Sequence, residues 1–267
     1  MKVMMKKVLA TLLFCTWAPF ASATTVSTDF TDMWWVGPAE SGWGANVIQQ
    51  GDTLFITLFV YGTNNQPTWY VGPATAYQGT VAGAQRFTGL LYKVSGPYFG
   101  APVFDTTTVN VTSVGSITFT APRVAQATLN YSVDGVNVTK ELVRQTWRTE
   151  NLVGTYIGAT VGTFSACASN GVIVAGAVYG VTQSGNNVTI TESASNYTCS
   201  YTGPYTQSGR MGTITGTGSC SDLGSGITFT ASEVRADLDS IGMRMDFTRG
   251  SCHMVGRLGG MRSITAP

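Results

Sequence analysis

Charge is scarce in this chain. Of 267 residues only 11% are Asp, Glu, Lys or Arg, there is one histidine, and lysine occupies five positions. Three of these, Lys2, Lys6 and Lys7, form a basic start ahead of an apolar stretch, Val8 to Phe14, and a small-x-small signal, Ala21-Ser22-Ala23. That order reads as a signal peptide over residues 1–23, cleaved to leave a mature chain beginning at Thr24. Its removal takes 15 basic residues to 12 against 14 acidic ones, a net charge of −2. A near-neutral chain left with two lysines, Lys93 and Lys140, has no electrostatic case for nucleic acid or an anionic membrane.

Long hydrophobic runs are also missing. Val8 to Phe14 is too short to span a bilayer, and no other segment approaches a transmembrane helix, so no membrane span is expected. Cys15 does not suit a lipid anchor, because the bulky Phe14 stands where such signals want a small residue. Cysteine is absent from the first half of the mature chain: Cys167, Cys199, Cys220 and Cys252 all lie in the second. An even number in an exported chain points to disulfides. With the cysteines bridged and His253 the lone histidine, no metal ligand set remains, and no cofactor is expected.

What is abundant is Thr, Ser, Val and 32 glycines. With few helix-period patterns, that composition implies antiparallel strands joined by tight turns. The expected fold class is all-β: two consecutive antiparallel up-and-down barrels or barrel-like halves, over residues 24–150 and 151–267. Asp134-Gly135 signals a two-residue hairpin that sets Val133 against Val136 and Tyr131 against Val138. Alternation falters just beyond, at Lys140-Glu141. Ile117-Thr118-Phe119-Thr120-Ala121 recurs as Ile227-Thr228-Phe229-Thr230-Ala231, a hint of duplication.

The second half counts into eight strands. If Gly209-Arg210 is a two-residue turn, Ser208 faces Met211, and counting outward sets Cys199 opposite Cys220 at a non-hydrogen-bonded pair. Cys167 and Cys252 are then left for each other, tying the first strand of that half to its last, as a barrel requires. Pro204 within the hairpin opposes a long paired strand.

Candidate site residues cluster in the first half. Trp34, Trp35 and Trp43 fall within thirteen residues, with Glu40 among them, and Trp69-Tyr70 follow a polar turn. Gly42 and Gly44 permit a bulge around Trp43, whose indole N–H Glu40 can accept; the functional reading makes this segment a pocket for a hydroxylated ligand. In Leu54 to Tyr61 the aliphatic positions Leu54, Ile56, Leu58 and Val60 fill an interior. That leaves Phe55, Phe59 and Tyr61 outside, where they either pack on the second half, the preferred expectation, or form a platform for sugar rings.

Asp32 to Gly44, with Gln50-Gly51-Asp52, Phe59-Val60-Tyr61 and Pro67-Thr68-Trp69-Tyr70, resembles a family of exported bacterial β proteins reading D-x-W-W-x-P-x-E-S-G-W-G, then Q-G-D, F-x-Y and P-x-W-Y. Gly89-Leu90-Leu91-Tyr92 with Gly96-Pro97, Thr139-Lys140 with Arg144-Gln145, and the cysteine-bearing Cys199 to Arg262 extend the likeness. Between Trp35 and Pro38 this chain has one residue more than the commonest form. The resemblance implies an exported β protein and transfers no catalytic residue.

Catalytic patterns are thin. No nucleophile elbow surrounds Ser41, whose pairing with His253 would need the halves to meet there. A glycosidase would need Glu40 beside Asp32 or Asp52. An outer-membrane barrel lacks its terminal aromatic strand in Ile264-Thr265-Ala266-Pro267. The leading expectation is therefore a non-catalytic, periplasmic or extracellular binding module that engages a glycan or another cell-surface ligand through Trp34, Trp35, Glu40, Trp43, Trp69 and Tyr70. A structural or adhesive protein with those aromatics buried is the alternative, and a carboxylate-dependent hydrolase the second. Exposure of the four tryptophans separates the first two.

Overall fold

The computed structural model describes residues 26–263, so the leader, Cys15 and the Ile264–Pro267 end lie outside the described residues. Alternating strands and tight turns make β1 (Asp32–Trp35), β2 (Gly44–Gln50), β3 (Thr53–Tyr61) and β4 (Pro67–Val81), then β5 (Ala84–Ser95), β6 (Asn110–Arg123), β7 (Gln126–Val133) and β8 (Val136–Arg144). These eight close into one antiparallel barrel through the β1–β8 pair. A second barrel holds β9 (Gly154–Ser165), β10 (Gly171–Ser184), β11 (Asn187–Ala194) and β12 (Thr198–Ser208), then β13 (Met211–Cys220), β14 (Gly224–Ala236), β15 (Ser240–Arg249) and β16 (Cys252–Arg262), closed by β16 on β9. All eight strands expected of the second half are present.

The turns set the registers. Asp134 and Gly135 both take positive φ, 48° and 84°, the mirror-image turn that matches strand twist. Val133 pairs with Val136 and Tyr131 with Val138 as expected. Lys140 and Glu141 cause no bulge: the ladder runs unbroken through them. Around Gly209 (φ 59°) Ser208 pairs with Met211 and Cys199 with Cys220. Pro204 pairs with Asn187 of β11 where the β13 ladder skips from Thr202 to Tyr205, so its missing N–H interrupts the pairing without shifting it. Both disulfides, Cys199–Cys220 and Cys167–Cys252, are formed.

Eight strands make a barrel whose interior side chains can nearly fill. Leu54, Ile56, Leu58, Phe87, Phe119 and Leu129 pack the first lumen, and Tyr179, Val188, Ile190, Tyr201, Ile227 and Met245 the second. Apolar lumens invert the polar interior of outer-membrane barrels.

The two barrels repeat one another. The Ile-Thr-Phe-Thr-Ala echo lies on β6 and β14, the sixth strand of each, with Ile, Phe and Ala buried both times. One end of each barrel is shut by the same clasp, an aromatic of the first strand paired with an arginine of the last. Trp34 pairs with Arg144 and Tyr156 with Arg262, each guanidinium standing 4.8 Å over the ring. Each aromatic donates to the carbonyl four residues back, Trp34 to Phe30 and Tyr156 to Leu152, both at 3.0 Å. Each arginine donates through Nε to the hairpin between the sixth and seventh strands, Arg144 to Val124 and Arg262 to Leu238. Through Nη1 each reaches the residue three before its aromatic, Thr31 or Val153. Phe30 plugs the first barrel from below, edge-on to Phe87 and Phe119, while Leu152 is buried at the equivalent place.

Beyond the swap of tryptophan for tyrosine and of Phe30 for Leu152, the clasps differ in the residue beside the arginine. Two residues before the aromatic, the first barrel has Asp32 and the second Gly154, where a Cβ would strike Arg262. Asp32 binds Arg144 at 3.1 Å and also accepts from the Arg210 backbone N–H at 2.8 Å. Beside it the Gly209 N–H donates to Thr146, and Arg235 pairs with Asp29 at 3.4 Å. The closed end of the first barrel thus meets the β12–β13 turn at the closed end of the second. Their open ends point apart.

All five tyrosines of the second barrel are shifted toward the neutral form, first by burial. Tyr179 is pushed up to about 12 by burial, opposed by the Thr160 hydrogen bond and reinforced by the Glu192 charge. Tyr205 reaches about 12 through burial and Glu150. A folded value above the ordinary 10 means a contribution to stability that is complete below pH 10 and lost as pH rises from 10 toward 12. Ultraviolet titration should show a late tyrosine step that coincides with loss of β circular dichroism. A single step, complete while the protein is folded, would contradict this.

Candidate functional site

At the open end of the first barrel, β1 runs into a short 3-10 turn, Pro38–Glu40. Gly37 leads into this turn with a φ of 122°, which suits glycine. Gly42 (φ 115°) leaves room for Tyr61, whose hydroxyl would lie 3.1 Å from a Cβ placed there. The loop therefore rests on the end of β3 and presents Glu40 and Trp43 at the mouth.

Glu40 accepts the Trp43 indole N–H at 2.9 Å and the Lys140 ammonium at 2.6 Å, and that ammonium lies 5.5 Å over the Trp43 ring. Lys140 is why the alternation of β8 falters: it takes an inward position to reach Glu40, while Glu141 faces out to Thr128. The Lys140 and Trp43 hydrogen bonds hold the Glu40 carboxyl below the usual carboxylate range, and burial pushes the Tyr131 hydroxyl up, helped by Glu40 and Tyr70.

Next to this triad lies a cleft of about 580 Å³ lined by Tyr61, Tyr70 and Tyr131, with Asn64, Gln66 and Thr68 along its rim. One cation, Lys93, and one anion, Asp134, balance at its edge. Its size falls within the range of small-molecule sites.

The expected site residues divide. Trp34 is a correction: it is 1% exposed and belongs to the closed-end clasp, because it shares the inward parity of Asp32 on β1. Trp35 points outward and is half-buried beside Val143 of β8. Glu40, Trp43 and Tyr70 gather at the mouth. Trp69 faces the outside opposite Phe59, the two 44% and 49% exposed. The expectation that this aromatic face packs against the second half is overturned, since the second barrel docks at the opposite, closed end. Tyr61, Tyr131 and Lys140 complete the mouth. Of these, the break in alternation at Lys140 was the signal in the sequence.

The arrangement also bears on chemistry. Asp32 and Asp52 lie at the closed end and Glu40 at the mouth, so the carboxylate pair needed for glycoside hydrolysis is not assembled from them. Ser41 and His253 sit at opposite open ends of the protein. His253 instead pairs with Asp246 at 2.9 Å. Among the described residues one grouping is dense enough for a metal, Cys199, Cys220 and Asp222, and the disulfide takes both of its sulfurs.

No family model and no curated protein matches the chain. Among solved structures it is similar to the isotype 1 transferrin binding protein B from serogroup B Neisseria meningitidis, at 12% identity and a TM-score of 0.30. The match covers 83% of this chain and 51% of that one, so the chain spans about half its length.

Proposed function

We propose that the protein is an exported, non-catalytic binding module that takes a neutral saccharide in the open mouth of its first barrel. The observation that carries this reading is the cleft of about 580 Å³ whose walls are three tyrosines and whose rim holds amide and hydroxyl groups. Phenol faces stack on the apolar faces of sugar rings, and Asn64, Gln66 and Thr68 supply donors and acceptors for ring hydroxyls. Near-neutral lining suits an uncharged ligand. The two disulfides support an oxidising compartment, periplasmic or extracellular.

A second reading rests on the exposed Phe59–Trp69 pair, which makes a platform on the outer wall. A glycan array followed by calorimetry on the best glycan separates the two. For the cleft, Tyr61→Ala and Tyr70→Ala should each weaken binding about tenfold, equivalent to about 1.4 kcal/mol, with Trp69→Ala unchanged. The reverse pattern moves the ligand to the outer wall. Failure of every glycan to bind removes the saccharide.

A further inference from the structure

The second barrel has its own opening, at the pole away from the first. There the lumen is not filled: a cavity of about 120 Å³ reaches inward between Phe164, Tyr201, Phe247 and Met254, with Asn196 and Asp222 at its rim. At its floor is Glu192 of β11, 3% exposed. A carboxyl group this deep is expensive to desolvate and is retained only where something meets it.

Neutral hydroxyls meet one of its oxygens. Oε1 accepts from Thr160 at 2.5 Å and from Tyr197 at 3.0 Å, and Thr160 is in turn linked to Tyr179 at 2.9 Å. Oε2 takes neither bond. Among the described residues the enclosed side-chain polar atom without a partner is Gln85 Oε1, in the other barrel, so Glu192 Oε2 is open to the cavity. None of the thirteen residues lining the cavity is Lys, Arg or His, while two, Glu192 and Asp222, are acidic. An acceptor at the floor, aromatic faces on the walls and no competing cation together define what fits.

We propose that this cavity binds a small alkylammonium ion, its N–H donors on Glu192 Oε2 and its carbon chain against the aromatic wall. An ammonium carries three donors and no acceptor, which matches an open carboxylate oxygen flanked by tyrosine hydroxyls. Aromatic faces favour a desolvated cation. The volume is close to the roughly 150 Å³ of a cavity that holds one benzene molecule, so the occupant has only a few heavy atoms. The shared chemistry could also come from the end of a lysine side chain, which a free amine and a blocked lysine distinguish. This site is remote from the first barrel and independent of the saccharide reading.

The test is calorimetry on the full mature protein with n-propylammonium, n-propanol and Nα-acetyl-lysinamide, with backbone amide shifts followed by NMR. Propylammonium should bind, with shifts confined to the open pole of the second barrel around the cavity residues of β9–β13, the β13–β14 turn, β15 and β16, and propanol should bind at least tenfold more weakly. Glu192→Gln, nearly isosteric, should lose at least tenfold in affinity. Leu223→Trp, at the rim and clear of the carboxyl, should block entry, and it carries the test if Glu192→Gln does not fold. Tighter binding of the blocked lysine than of propylammonium would replace the free amine by a side chain. Equal binding of propanol, or full affinity in the folded Glu192→Gln or Leu223→Trp protein, overturns the proposal.

Discussion

Replacing Arg144 by methionine should destabilise the first barrel by about 3 to 5 kcal/mol, the usual cost of removing one partner from a buried ion pair. Arg144 is 3% exposed, and its guanidinium serves Asp32, the carbonyls of Asp29, Thr31 and Val124, and the face of Trp34. Burial pulls it below its ordinary value, opposed by the hydrogen bond and charge of Asp32, so the pair holds its charge by mutual support. Methionine keeps much of the stem packing on Trp34 and leaves Asp32 and three carbonyls without their donor. Arg262→Met is the internal control. The same clasp there is half-exposed and has glycine in place of the aspartate, so its loss should be smaller, about 1 to 3 kcal/mol. Urea unfolding followed by tryptophan fluorescence measures the first, and the tyrosine circular dichroism transition that tryptophan does not share measures the second. An Arg144→Met protein within about 0.5 kcal/mol of the parent would remove the clasp from any account of what holds this barrel.

The clasp also shows why some of this molecule was legible in its sequence and some was not. Turns are local, so Asp134-Gly135 and Gly209-Arg210 fixed two registers, and the second register carried the cysteine pairing with it. The duplication was visible only at its least altered strand. The Ile-Thr-Phe-Thr-Ala echo recurs after 110 residues, but Trp34 and Tyr156 are 122 apart and Arg144 and Arg262 118, because the loops differ in length. No single offset aligns them, and Trp against Tyr hides the rest.

Site residues failed for a different reason. Residue type says that Trp34 is large and aromatic, but inside or outside is decided by strand parity, and Asp32 gave no hint of parity while its arginine lay 112 residues away. The aromatic outer face was legible on β3. Which end the second barrel would cover was not, because docking uses a turn N–H on Asp32 rather than an apolar patch. Glu192 was one acid among 14, and only burial singles it out.

Reduction should split the protein into two stabilities. All four described cysteines lie in the second barrel, where Cys167–Cys252 closes a separation of 85 residues and Cys199–Cys220 one of 21. On loop-closure entropy the first contributes about 4.5 kcal/mol and the second about 3, so Cys167→Ser/Cys252→Ser should be the more damaging pair. That bridge joins the end of β9 to the start of β16, holding the barrel seam at the open pole, opposite the Tyr156–Arg262 clasp. Tryptophan reports the first barrel alone, since Trp34, Trp35, Trp43 and Trp69 are in it and none of the six tryptophans is in the second. The eleven tyrosines divide six to five, so a tyrosine transition that tryptophan does not share belongs to the second barrel. Reductant should move the tyrosine transition of the second barrel down and leave in place the transition that tyrosine and tryptophan share, because the closed ends meet through a few polar contacts at Asp32, Thr146 and Asp29 and so couple the barrels weakly. If both transitions fall together, those contacts bind the barrels into one cooperative unit. Arg144→Met should then shift the tyrosine signal of the second barrel as well.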